Sequence, residues 1–285
     1  MNVSASEAPA ARPTVTVIEP PRGWSLPSLR EIAEHRDLIY YLARRDVVIR
    51  YKQATVGALW VLIQPVLLAG IFSLFLGRYG GLQGESGIPY PLYALTGIVM
   101  WLMFAECLGR ISQSTVSSEP LISKIYFPRT VIPVAAVIAP VVDFSLTFLV
   151  VVAVTLAYGV TPDIQILAAP LFVALAVIAA LGAGLWLSAL NVKYRDVTLI
   201  VPFLLLGGLF LTPNFYSFDI VPGSLQPIIY ALNPMVGVVE GFRWALLGTD
   251  FPGVLLAIPV AVGGILIVTG ALYYEHAQKS FADVI

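Results

Sequence analysis

The chain has 285 residues, 58% of them hydrophobic and only 12% charged, about half the charged share of a soluble domain. A water-soluble globular protein is excluded, and burial in lipid is the economical explanation. The single cysteine, Cys107, excludes an intrachain disulfide, and the formal net charge of −1 hides a strong segregation of charge along the chain.

Residues 1–23 are rich in Ala and Pro and lack a basic region ahead of an apolar run. They read as a disordered cytoplasmic arm and not as a cleaved signal peptide. After Pro27, Ser28 and Glu31 have capping-box spacing, which predicts a helix start. From there to Lys52 the charges are interspersed with Ile32, Ile39, Leu42, Val48 and Ile49. This 24–53 region is amphipathic and basic, too polar to span, and is expected along the inner membrane surface. It serves either as a surface anchor or as a docking element for a cytoplasmic partner.

Residues 54–275 read as a six-span transmembrane domain. Five stretches lack Asp, Glu, Lys and Arg: Ala54–Gly77, Ser86–Ala105, Ile164–Val192, Val197–Phe218 and Phe251–Tyr274. A sixth, Thr130–Pro162, carries only Asp143. Each exceeds the ~20 apolar residues that a helix needs to cross the hydrocarbon core. Within the first, Gln64-Pro65 predicts a kink. At the end of the second, Glu106 and Arg110 share one helix face. In the loop 117–128, Glu119-Pro120 starts a short helix, and Leu121, Ile122 and Ile125 give it one apolar face. Residues 213–248 hold Pro213, Pro222, Pro227 and Pro234. Broken helices at membrane depth need protein or water around them, so this segment predicts a re-entrant pair of short helices on the outer side. Pro222, Gly223 and Pro227 form its turn, Asn233 caps the second helix, and Glu240 and Arg243 lie one turn apart near the interface. Residues 276–285 are a tail. The expected fold is an all-α integral membrane protein with six transmembrane helices, an N-terminal amphipathic interface helix and an outer re-entrant helix pair.

Orientation follows from the cations. Fourteen of the sixteen Lys and Arg residues fall on one side of this plan, and only Arg78 and Arg243 fall on the other. Positive loops stay in the cytoplasm, so both termini are expected there.

Familiar chemistry is missing. The two histidines, His35 and His276, lie at the ends of the membrane region, and no cluster of metal-ligand type is expected. None of the four lysines follows a glycine, so no phosphate-binding Gly-Lys loop is present. The chain is not expected to hydrolyse ATP by that route, to be an enzyme, to carry a cofactor or metal, or to bind nucleic acid. Transport is left as the leading class. Ionisable residues at membrane depth are Glu106, Arg110, Asp143, Glu240 and Arg243, each a functional candidate. Glu106 with Arg110 and Glu240 with Arg243 can satisfy each other within one helix, whereas Asp143 has no local basic partner. It either lines an aqueous path or bonds across helices.

Several segments resemble the permease subunits of ATP-binding-cassette exporters for lipid-linked polysaccharides, the O-antigen, capsule and teichoic-acid exporters. They are Arg45-Asp46-Val47-Val48-Ile49-Arg50-Tyr51-Lys52-Gln53 with Gly57-Ala58-Leu59-Trp60 and Gln64-Pro65, then Leu121-Ile122-Ser123-Lys124-Ile125-Tyr126-Phe127-Pro128-Arg129. Asn191-Val192-Lys193-Tyr194-Arg195-Asp196 and Leu232-Asn233-Pro234-Met235 leading to Gly241-Phe242-Arg243 follow in order. The resemblance covers the chain from about Trp24 to the last span. It implies a homodimer in the bacterial inner membrane, with two separate ATPase subunits that hold ATP and Mg, and a lipid-linked polysaccharide as substrate. A polyprenyl diphosphate is the lipid carrier it implies. By the same resemblance, Glu119, Leu121, Ile122, Lys124 and Ile125 belong to an ATPase-coupling loop. Arg45, Asp46 and Arg50 belong to a second ATPase contact, and residues 213–248 to outer gate helices.

A polysaccharide is too large for an occluded pocket, so a continuous channel is the plausible route. Aromatic faces suit the apolar C–H faces of sugars. Trp60, Phe72, Phe75, Trp101 and Phe104 are channel candidates together with Asp143, with ordinary helix packing or lipid contact as the alternative for each aromatic. An exporter of drugs or small lipids and an ion-coupled secondary transporter remain as rival readings.

Overall fold

A computed structural model of the chain describes residues 24–52, 57–82, 84, 87–124 and 127–281. The arm 1–23, Gln53, Ile125 and Tyr126 lie outside the described residues. Among those described, the secondary structure is helical throughout.

The amphipathic segment forms two helices. Helix α1 (Leu29–Glu34) starts where Ser28 Oγ accepts a hydrogen bond from the Glu31 amide at 3.3 Å. The chain leaves helical geometry at His35 and resumes as α2 (Arg36–Lys52). Leu42 and Ala43 are the buried residues of α2. Leu42 packs with Phe127, Val131, Ile132 and Ala135.

The first long apolar helix, α3 (Gly57–Phe72), runs through Pro65 and widens into a π-helical stretch at Ser73–Tyr79. The change of winding therefore comes two turns after the proline. Helix α4 (Tyr90–Ser117) is followed by the four-residue α5 (Glu119–Ile122), then by α6 (Val131–Ala136) and α7 (Ile138–Ala157). Helix α8 (Ala169–Lys193) leads through the Tyr194–Asp196 turn to α9 (Val197–Leu211). Two short helices, α10 (Gln226–Leu232) and α11 (Met235–Leu247), precede α12 (Ala257–Ala277).

Five helical stretches are long and apolar enough to cross a membrane: Leu59–Tyr79, Tyr90–Ser117, Val131–Ala157, Ile164–Lys193 and Gly253–Ala277. The protein is thus a multi-pass, all-helical membrane protein. The remaining charge-free stretch, Val197–Phe218, yields only the 15-residue α9, which rises about 22 Å against a ~30 Å hydrocarbon core. Thr212 ends it in an extended conformation, as a residue ahead of proline prefers, and Pro213 follows.

Helix α4 is the axis of the bundle. Its best apolar window is 78% buried, against 11% for α3, so α3 leaves most of its surface unpacked within one chain. Leu92, Tyr93, Ile98, Met100, Cys107 and Ile111 of α4 join Phe172, Ala176 and Ala180 of α8 and Val238, Phe242 and Leu246 of α11 in the main core. Helices α8 and α12 meet almost backbone to backbone. A Cβ on Gly182 would lie 2.5 Å from Ile267 N, and one on Gly270 would run into the Gly182 carbonyl. Small residues permit this approach, and dispersion packing rewards it in lipid.

Candidate functional site

Two polar clusters lie along α4, one at its start and one past its middle, about 20 Å apart by the helical rise between Tyr93 and Glu106. The first joins α2 to the spans. Arg50 Nη1 donates to Glu106 Oε1 at 2.6 Å, and Arg50 Nη2 lies 2.9 Å from Asp143 Oδ2. That oxygen is buried and outside hydrogen-bond alignment with any donor. Arg110 Nε donates to Glu106 Oε1 at 2.7 Å from one turn along α4. The Tyr51 hydroxyl donates to Asp143 Oδ1. Burial, and then this bond, push the Tyr51 hydroxyl up to about 12. It stays protonated, and so a donor, at every physiological pH. A cavity of about 110 Å³ opens beside the cluster, lined by Arg50, Trp60, Gln64, Glu106, Asp143 and Thr147 among others.

Asp143 thus has its basic partner, supplied by α2 some ninety residues earlier. Its spacing from Arg50 carries no sequence signal, and Tyr51 was missed for the same reason. A charged pair at this depth is costly unless both members are paired and bonded.

The second cluster centres on Arg243, whose side chain is fully buried. Nη1 donates to Glu240 Oε1 and to the Tyr93 hydroxyl, both at 2.8 Å, and Nη2 donates to the Asn214 carbonyl at 3.0 Å. The guanidinium also lies over the Tyr93 ring, 3.6 Å from its centroid. Tyr90 donates to the Phe215 carbonyl at 2.7 Å. The α11 arginine therefore ties the 214–216 loop to α4. The Glu240–Arg243 pair expected from helical spacing is formed, and helix packing encloses it. Asn233 Oδ1 accepts from the Met235 amide at 3.1 Å, and its Nδ2 donates to Thr212 Oγ1 at 2.8 Å. Pro222 and Gly223 lie on an exposed turn before α10 and Pro227 in its exposed first turn, apart from Glu240 and Arg243.

Other candidates are dispersed. Trp60 and Phe75 are exposed on α3 and its extension. Phe72 stacks on Phe215 at 3.8 Å between centroids. Trp101 and Phe104 are buried, 5.4 Å apart, with the Trp101 ring against Gly208. These aromatics share no single surface. Arg45 pairs with Asp46 at 2.9 Å on the rim of α2. Glu119 and Lys124 are exposed. Leu121 and Ile122, expected on an exposed apolar face, are half-buried against the cluster of Leu42, Phe127, Val131, Ile132 and Ala135.

Sequence reasoning also missed the fastening of the chain's end. Thr130 Oγ1 donates to Glu275 Oε1 at 2.7 Å, and Arg129 donates to the Gln278 carbonyl. Trp24 stacks on His276 at 4.5 Å. Tyr274, Thr115 and Ser188 share a buried hydroxyl cluster with 2.8 Å bonds. Among the described residues no group of three or more His, Cys, Asp or Glu side chains is placed to hold a metal.

Comparison with known proteins agrees with this architecture. The O-antigen export system permease protein RfbA of Myxococcus xanthus is 26% identical over 261 residues, 90% of this chain and 98% of the relative. Two O-antigen export system permease proteins RfbA of Klebsiella pneumoniae are 28% and 27% identical over 250 residues, 87% of this chain and 95% of each relative. The family profile described as ABC-2 type transporter matches residues 37–247, from the start of α2 to the end of α11, and so takes in both polar clusters. The chain belongs to the ABC-2 type transporter family.

Proposed function

We propose that the chain is the membrane-spanning permease of an ATP-binding-cassette exporter that moves a lipid-linked polysaccharide outward across the bacterial inner membrane. Two copies form the pathway, and two separate ATPase subunits supply ATP and Mg. The observation that carries this reading is the end-to-end similarity to the three O-antigen permeases. The charge segregation supports it too, since α2 and α5 lie in the cation-rich part of the chain, where an ATPase would dock. In this reading α9 together with the 212–217 segment makes the fifth of six spans and α12 the sixth, and α10 with α11 forms the re-entrant pair at the outer face. Deleting the gene tests the proposal. A lipid-linked glycan should accumulate on the cytoplasmic side and disappear from the cell surface, and plasmid-borne chain should restore both. Normal surface glycan with loss of export of a drug or small lipid would refute the polysaccharide reading.

Topology is tested by thiol labelling in a Cys107→Ser background. Cysteines replacing Lys124, Tyr194 and Lys279 should react only from the cytoplasm, and those replacing Gly84 and Gly223 only from outside. Outside labelling at Lys279 would add a span and overturn the six-span plan.

Coupling is tested at Glu119 and Lys124, the exposed charges of the short loop. Reversing both (Glu119→Lys with Lys124→Glu) leaves the packing of Leu121 and Ile122 intact. It should weaken ATPase-subunit binding roughly tenfold, the equivalent of about 1.4 kcal/mol, as measured by co-purification titration. Undiminished binding would place the docking surface elsewhere.

A further inference from the structure

Helix α2 is held to the bundle unevenly. Leu42 and Ala43 are buried, Leu42 against the Val131–Ala135 stretch of α6. Beyond them two voids flank the helix. One, of about 210 Å³, lies among Leu42, Arg45, Asp46, Arg110, Gln113 and Ile132. The other is the 110 Å³ cavity beside Arg50 and Asp143. Both are clefts partly open at the surface, so the packing beside α2 is incomplete on two sides.

Between the two voids runs a chain of four alternating charges, Arg110, Glu106, Arg50 and Asp143, with Tyr51 on the last. Only Arg50 and Tyr51 come from α2. The Arg50 guanidinium presents one nitrogen to Glu106 of α4 and the other to Asp143 of α7. One rigid planar group therefore grips two spans at once, which an ammonium could not do. Its side chain is only 26% exposed and turns into the bundle.

We propose that Arg50 is a positioning residue that transmits movement of α2 to α4 and α7 together, through its divided ion pair with Glu106 and Asp143. This rests on the reading of α2 as an ATPase contact. When ATPase action displaces α2, the two carboxylates follow the guanidinium, and the cavity between α3, α4 and α7 changes shape. Tyr51 holds the other carboxylate oxygen of Asp143 through its hydroxyl.

The test uses the full complex in lipid nanodiscs, in the Cys107→Ser background, with an environment-sensitive fluorophore on a cysteine replacing Tyr41 of α2 or Ser145 of α7, both exposed. ATP should shift the signal at both positions in the otherwise unsubstituted complex. Arg50→Ala and Arg50→Lys should keep the Tyr41 signal but abolish the Ser145 signal, and export per ATP hydrolysed should fall roughly tenfold. A Ser145 signal that survives Arg50→Ala, or one absent from the unsubstituted complex while the Tyr41 signal is present, overturns the inference alone. Absence of any signal at Tyr41 overturns the reading of α2 as an ATPase contact, and with it the inference. Neither fluorescence readout needs the exported molecule to be known.

Discussion

Replacement of Arg243 by alanine is expected to destabilise the protein by about 3–5 kcal/mol, the range for breaking a buried, fully paired charge. The side chain is fully buried and donates to Glu240, to the Tyr93 hydroxyl and to the carbonyls of Tyr93 and Asn214. Alanine removes the donors but leaves the Glu240 carboxylate and two backbone carbonyls enclosed. Unmet buried acceptors cost more than the bonds themselves contribute. The 214–216 loop should then release from α4, and α11 should lose its anchor. Thermal unfolding of the purified chain in detergent measures the change, and protease cleavage near Asn214 reports the loop. The double change Glu240→Leu with Arg243→Met removes both charges and fills the space. It should recover a large part of the loss, because replacing a whole buried pair by apolar groups is often tolerated. Equal melting of Arg243→Ala and the unsubstituted protein would show that the cluster contributes nothing to stability.

The second large effect is expected where α8 meets α12. Valine at Gly182 or Gly270 places its first carbon against the backbone of the opposite helix, and backbone cannot turn aside as a flexible side chain does. Overpacking of this kind typically costs 1–3 kcal/mol, and here, with no side chain to yield, upwards of about 3 kcal/mol. The helices must separate, and the Trp186 hydrogen bond to Thr269 at 3.2 Å should break with them. Monodispersity on size exclusion and the melting midpoint give the measurement. Gly264 is the control on the same helix, since a Cβ there meets nothing within 4 Å. Gly264→Ala should fold normally and gain slightly through better helix propensity. A Gly270→Val chain that melts like the Gly264→Ala chain would refute the close-contact account.

The spans were legible because lipid imposes a composition, and a stretch without charges can be read residue by residue. The helix ends were harder. Val197–Phe218 contains no charge, yet α9 stops at Leu211, since Pro213 acts through the conformation of its neighbour and not through polarity. The pairs Glu106–Arg110 and Glu240–Arg243 were readable from helical spacing, and both bonds are present. The partner of Asp143 was not readable, because Arg50 reaches it through the packing of α2, which spacing does not encode. The half-burial of Leu121 and Ile122 escaped for the same reason. An apolar face on a short loop signals that something covers it, but not whether the cover is another protein or other residues of the same chain.

The backbone contact between Gly182 and Gly270 has a mechanical consequence. Two helices touching through glycine cannot slide or roll against each other without a collision, so α8 and α12 behave as one rigid plate. Helix α4 is pressed against that plate, with Gly184 of α8 seated on Ile111, and α11 is clamped to α4 by its buried arginine. Helix α3, by contrast, is nearly free of such restraint, and α2 is bordered by empty space. The molecule therefore divides into a closely packed plate and a loosely packed flank. Within one chain, displacing the flank disturbs fewer packed contacts than displacing the plate.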